Sequence, residues 1–138
     1  MIHGAHFDRG RVTYRNKWVC TDALREEQRA GASPFWGIMG TLKGGDHVIC
    51  SQSVFGSTIK LFQDFAKYGI ETSFVAQADV DAWRSAVRPN TKLLFAETPT
   101  NPLTEVCDIA ALAQIAHDAG ALLAVDNCFC SPALQQPV

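Results

Sequence analysis

The chain has 138 residues, of which 47 % are hydrophobic and 19 % charged, with a formal net charge of −2. That balance is ordinary for a folded globular domain, and it leaves no basic excess to hold nucleic acid or an anionic membrane. No run reaches the ~18 apolar residues of a membrane span, and Met1-Ile2-His3-Gly4 lacks the basic-then-apolar opening of a secretory signal.

Residues 1–20 read as a β-hairpin with its turn at Asp8-Arg9-Gly10, where glycine supports a positive φ. Val12, Tyr14 and Trp18 fall on one face of the second strand, Arg11, Thr13, Arg15 and Lys17 on the other. His3 and His6 lie three apart in the first strand, hence on opposite faces, and do not share a metal. Thr21-Asp22 opens a charged helix over Ala23 to Ala30 that Gly31 ends. Pro34 to Leu42 is apolar and reads as a short helix with proline in its first turn.

From His47 the pattern changes to short apolar runs alternating with helical periodicity. His47 to Cys50 is a strand with a polar exit at Ser51-Gln52-Ser53. Gly56 to Tyr68 is a helix, capped by Ser57 or Thr58 and stopped by Gly69, with Ile59, Phe62, Phe65 and Ala66 facing a sheet. Glu71 to Val75 is a strand, and Asp79 caps a helix over Val80 to Val87. The stretch from Lys92 opens as a buried strand and breaks at Glu97-Thr98-Pro99-Thr100-Asn101-Pro102. Asp108 caps a helix with an apolar stripe of Ile109, Leu112, Ala113 and Ala116, and Leu122 to Val125 is the last strand, ending in Asp126-Asn127. Strand and helix in alternation mean an α/β fold with a parallel sheet. Ligands of such sheets bind beyond the carboxyl ends of the strands, so Glu97, Thr98, Asn101 and Asp126 belong to a candidate polar site.

The five cysteines are an odd count at irregular spacing, which speaks against a disulfide framework. Cys128-Phe129-Cys130 is not the C-x-x-C of zinc and redox sites. Reduced thiols in a cytoplasmic protein are expected, and no metal site.

Four stretches, in order and at matching spacing, carry a resemblance over residues 44–138. They are Gly45-Asp46-His47-Val48, Ser53-Val54-Phe55-Gly56-Ser57-Thr58, Glu97-Thr98-Pro99-Thr100-Asn101-Pro102 and Val125-Asp126-Asn127. This part of the chain resembles the pyridoxal-phosphate (PLP) enzymes of cysteine and methionine metabolism, the trans-sulfuration family, and within it the O-succinylhomoserine sulfhydrylases. The resemblance implies part of a fold-type-I PLP-transferase large domain, usually in a homo-oligomer, acting on a small amino-acid substrate. It implies that Asp126 pairs with the pyridine nitrogen of the cofactor, that Phe55 stacks on its ring where many relatives carry tyrosine, and that Asn101 lies near cofactor and substrate carboxylate. Read singly, Asp126 could instead cap a turn with Asn127, Phe55 could be core, and Asn101 could simply break its strand.

The family's lysine that bonds covalently to the cofactor follows the aspartate. All five lysines here (Lys17, Lys43, Lys60, Lys67, Lys92) precede Asp126. No catalytic residue is therefore assigned, and the chain alone is expected not to complete the reaction. The family's phosphate-binding turn is replaced by Ala32-Ser33-Pro34-Phe35, where proline removes an N–H. Residues 1–31 form a segment of different origin ahead of the PLP-domain segment 32–138. Met1-Ile2-His3-Gly4 and Tyr14-Arg15-Asn16-Lys17-Trp18-Val19 resemble a hairpin of the carotenoid-cleavage oxygenases, without their iron ligands. The alternative function is a non-catalytic α/β binding or interaction module.

Overall fold

The computed structural model describes residues 2–8, 11–17 and 42–137. The chain divides into two compact units, Met1–Thr41 and Leu42–Val138. In the first, β1 (Ile2–Asp8) pairs antiparallel with β2 (Arg11–Lys17), in a register running from Ile2 opposite Lys17 to Asp8 opposite Arg11. This is the expected hairpin. The turn residues 9–10, the helix expected over 23–30, the replaced phosphate turn at 32–35 and Cys20 lie outside the described residues, as does all but the last residue of the helix expected over 34–42.

The second unit runs β3 (His47–Ser51), α1 (Gly56–Asp64), β4 (Glu71–Val75), α2 (Val80–Ser85), β5 (Thr91–Glu97), α3 (Ile109–Asp118) and β6 (Leu122–Asp126). The strands form one parallel sheet in the order β4-β3-β5-β6. Every residue of β3 is buried, and β5 is buried at all but two positions, as central strands covered on both faces require. Alternation along these strands builds two cores. Val48, Cys50 and Leu93 point to one face and pack with Val54, Phe62, Phe65 and Ile70, which the α1 segment supplies. Ile49, Leu94 and Ala96 point to the other face and pack with Trp83 of α2 and Leu112, Ile115 and Ala116 of α3.

Several local expectations needed correction. The helix expected over Gly56 to Tyr68 ends as α-helix at Asp64 and continues as a 3-10 turn over Phe65–Tyr68, so Ala66 is turned outward to solvent. Its N-cap is Phe55, and neither Ser57 nor Thr58 caps it. Helix α2 stops two residues early, at Ser85. The stripe of α3 is centred on Leu112, Ile115 and Ala116, with Ile109 and Ala113 only half-buried. The carboxylates of Asp79 and Asp108 cap α2 and α3, accepting from Ala82 N at 3.0 Å and Ala111 N at 2.9 Å. Gly69 ends the 3-10 turn with φ of 73°, a conformation that a side chain disfavours.

The amino end of the sheet carries a polar network around the fully buried His47. Its Nδ1 lies 2.8 Å from Thr91 Oγ1 and its Nε2 3.0 Å from Ser73 Oγ. Thr91 Oγ1 already accepts from Arg88 N at 2.8 Å, and Ser73 Oγ from Arg88 Nη2 at 3.3 Å. The Thr91 hydroxyl is then left to donate to Nδ1, and Nε2–H to donate to Ser73, which suits a neutral ring. Burial, and secondarily the Arg88 guanidinium, hold the His47 pKa below its ordinary value of 6.5, against a smaller opposing pull from Glu71. Below pH 6.5 the unfolded chain therefore takes up a proton that the folded chain refuses, and stability falls with pH until the folded-state pKa is passed. The thermal midpoint should drop from pH 7 to pH 5.5, and His47→Gln should flatten that slope. An equal slope in both proteins would assign the acid sensitivity to other groups.

Candidate functional site

At the carboxyl end of the sheet three strands deliver their last residues side by side. β3 ends in Ser51, β5 in Glu97 and β6 in Asp126, and Glu97 and Asp126 are register partners. Thr98 N donates to the Asp126 carbonyl at 3.0 Å, which carries the β5–β6 pairing one step past the strand.

Glu97 is buried, and each of its oxygens accepts one backbone N–H. Oε2 accepts from Phe55 N at 2.8 Å and Oε1 from Asn101 N at 3.0 Å. The loop after β5 is tied to itself by its threonines. Thr98 Oγ1 accepts from Cys107 N at 3.2 Å, Thr100 Oγ1 from Glu105 N at 3.0 Å, and Thr100 N donates to the Glu105 carbonyl at 3.0 Å. The Thr98–Pro99 and Asn101–Pro102 peptides are both cis. Beyond β6 no helix or strand forms over residues 131–137, yet Gln135 Nε2 donates to the Thr98 carbonyl at 2.6 Å and to Asn127 Oδ1 at 2.9 Å. The tail is thus latched onto the strand ends, a role that nothing in the sequence signalled.

A cavity of about 350 Å³ opens between these strand ends and the start of α1. Phe55, Ser57 and Thr58 line it from α1, and Glu97 and Asn101 from the β5 exit. Asp126, Cys128 and Phe129 close it from β6. The structure thus brings Asp126, Phe55 and Asn101 onto one cavity. Phe55 is 53 % exposed, so its ring is a wall and not core. The Asp126 carboxylate beside Cys128 pushes that exposed thiol up, by hydrogen bonding first and charge second. Burial, with Glu97 a lesser cause, pushes Cys50 up to about 12. Neither thiol is set up as a nucleophile. Cys50, Cys107, Cys128 and Cys130 are all free.

A larger hollow, about 530 Å³, lies along the α1–β4 edge between Phe62, Gln63, Phe74 and Arg88. Its charged groups, Arg88 and Glu71, neutralise one another. The smaller cavity has the directed chemistry: the aromatic rings of Phe55 and Phe129, hydroxyls on the first helical turn, the Asn101 amide and the carboxylates of Glu97 and Asp126. The carboxylates and aromatic rings suit a planar, cationic heteroaromatic ring, and the start of α1 with its hydroxyls is the one part of the described lining that suits an anionic substituent.

The family model of the Cys/Met metabolism PLP-dependent enzymes matches residues 29–138. The chain belongs to this family. It is 59 % identical over 102 residues to O-succinylhomoserine sulfhydrylase of Pseudomonas aeruginosa, covering 73 % of this chain and 25 % of the relative. It is 42 % identical over 110 residues to cystathionine gamma-synthase/O-acetylhomoserine (thiol)-lyase of Bacillus subtilis, covering 79 % of this chain and 30 % of the relative. Among solved structures, metB of Corynebacterium glutamicum superposes with a TM-score of 0.67 at 41 % identity, over 70 % of this chain and 26 % of that one. The O-acetylhomoserine sulfhydrylase of Wolinella succinogenes does so at 0.65 and 38 %, over 70 % and 28 %. The chain therefore spans about a quarter to a third of the length of these relatives.

The family is PLP-dependent, and the parallel sheet with helices on both faces is fold-type-I architecture. The oxygenase likeness of residues 1–31 gains no support from these comparisons. Among the described residues, no helix is long and apolar enough to cross a membrane.

Proposed function

We propose that this chain carries the cofactor-ring side of a PLP-dependent sulfhydrylase that converts O-succinylhomoserine and sulfide into homocysteine and succinate in the cytoplasm, within a homo-oligomer. The observation that carries the reading is the convergence of Asp126, Phe55 and Asn101 on one cavity. The preference for sulfhydrylase over cystathionine synthase rests on the 59 % identity to the former against 42 % to the relative named for both synthase and thiol-lyase. In this reading the segment proposed for residues 1–31 has no part in this function up to residue 28, and the family match takes over at residue 29.

The bound cofactor supplies an electron sink for negative charge developed on an amino-acid substrate. In this reading the Asp126 carboxylate accepts a hydrogen bond from the protonated ring nitrogen and keeps the proton there. Phe55 covers one ring face and excludes water from it, but it has no phenol with which to move a proton. Ser57 and Thr58 offer hydroxyls on the first turn of α1, where the helix dipole favours an anionic group. The Asn101 amide, at the same cavity, would orient a carboxylate.

No lysine is among the described residues that line the cavity. Lys60 and Lys67 instead pair with Asp64, at 2.7 and 2.9 Å. Titration of the purified chain with PLP should give saturable binding by absorbance, and borohydride treatment followed by mass spectrometry should show no stoichiometric adduct. An adduct on one lysine would overturn noncovalent retention. The absence of any binding would overturn the cofactor reading and leave the α/β interaction module in its place.

A further inference from the structure

We infer that Glu97 is the positioning residue of this site: one buried carboxylate ties the start of α1 to the Asn101 loop and so fixes the backbones of Phe55 and Asn101 relative to each other at the cavity. The inference rests on the cofactor reading only for its effect on affinity.

Glu97 is 4 % exposed and ends β5, a strand flanked on both sides by partners. Its backbone is therefore among the least mobile points at this end of the sheet. The Phe55 carbonyl accepts from Thr58 N and Ile59 N, and Thr100 beside Asn101 is tied to Glu105, but the N–H groups of Phe55 and Asn101 both turn to Glu97. Phe55 is exposed, so packing does not locate it. As N-cap of α1 it has no side-chain oxygen to satisfy the helix start. The Glu97 carboxylate stands in from 42 residues away, accepting the Phe55 N–H at the positive end of the helix. Asn101 begins a run, 101–106, in which every residue is exposed. Its N–H bond to Glu97 pins the mouth of that loop.

The geometry needs both properties of glutamate. Both acceptors are used, one per loop, at 2.8 and 3.0 Å. Glutamine would offer one acceptor and turn an NH2 donor against the second N–H. Aspartate keeps the charge, but its shorter stem cannot reach both amides from the same backbone position. Glu97 itself lines the cavity, and its two backbone bonds make it act there through Phe55 and Asn101 as well.

The test is amide hydrogen exchange on the full chain, as wild type, Glu97→Gln and Glu97→Asp, with PLP affinity measured alongside. In wild type, the Phe55 and Asn101 amides should exchange about tenfold or more slowly compared with neighbouring loop amides, as bonds to a charged acceptor require. Each variant should speed at least one of the two by a similar factor, while Leu94 and Ala96 in β5 keep their protection. PLP affinity should fall about tenfold in step, the loss expected when a wall of the site is released. Unchanged protection of both amides in both variants would overturn the inference. So would an equal loss throughout β3 and β5, which marks general destabilisation, or lost protection with unaltered PLP affinity. Failure of wild type to bind PLP would overturn the cofactor reading instead, and the exchange rates would still decide whether the tie exists.

Discussion

Replacing Asp126 by alanine should weaken PLP binding by about ten- to a hundredfold, the range that corresponds to ~1.5–3 kcal/mol for a hydrogen bond to a charged group. The backbone at this position is held independently of the side chain. The Asp126 carbonyl accepts from Thr98 N, and the residue pairs in register with Glu97. The side chain is only half-buried, so its loss leaves the fold in place. Asp126→Asn keeps the shape of the cavity floor and removes the charge, and it should lose nearly as much affinity as alanine. A titration followed by cofactor absorbance reads both variants against wild type. If asparagine binds like aspartate, shape and not charge governs the site. If both variants bind like wild type, Asp126 has no part in holding the cofactor.

The largest expected effect on stability is at Trp83. The indole is fully buried between the sheet and α3, against Ile49, Leu94, Leu112 and Ile115, and its Nε1–H donates to the Gln77 carbonyl at 3.1 Å. Trp83→Ala removes the largest side chain of that core and should cost about 3–5 kcal/mol, since the cavity left behind refills only in part. The orphaned Gln77 carbonyl adds about 1 kcal/mol. Against the ~5–15 kcal/mol that a domain of this size has in hand, this is about a quarter or more of the total. Urea unfolding followed by circular dichroism should show a much lower midpoint at an unchanged slope, and Trp83→Phe should recover most of the packing but not the hydrogen bond. A midpoint within experimental error of wild type would mean that the core on this face is not what holds the sheet.

The layered fold was legible from the sequence because its signals are local. Apolar runs of strand length, caps at Asp79 and Asp108, and a glycine stop at Gly69 each act within a few residues, and the structure has them where the pattern put them. The start of α1 was not legible. A hydroxyl at Ser57 or Thr58 was the local candidate for the cap, whereas the group that serves the helix start is a carboxylate on β5. The same reason hid the Gln135 latch, whose partner Thr98 is 37 residues away. Side-chain bonds of this kind depend on which strand ends the sheet order brings together, and a linear pattern does not encode that order. Asp126, Phe55 and Asn101 were legible through the motif stretches that contain them. Their convergence is a consequence of the β4-β3-β5-β6 order, which sets the ends of β3, β5 and β6 next to one another.

The seven-residue β5 joins two chemistries of opposite purpose. Thr91 at its start belongs to the acid-sensitive histidine network, and Glu97 at its end to the cavity, about 20 Å apart at ~3.3 Å per residue. Groups so far apart with no shared partner contribute additively. The two ends of the sheet are therefore separately tunable: His47→Gln can flatten the pH dependence of stability without retuning the cavity. A double-mutant cycle between His47 and Asp126 should accordingly close with no coupling energy, which makes the amino end of this sheet the place to engineer for robustness.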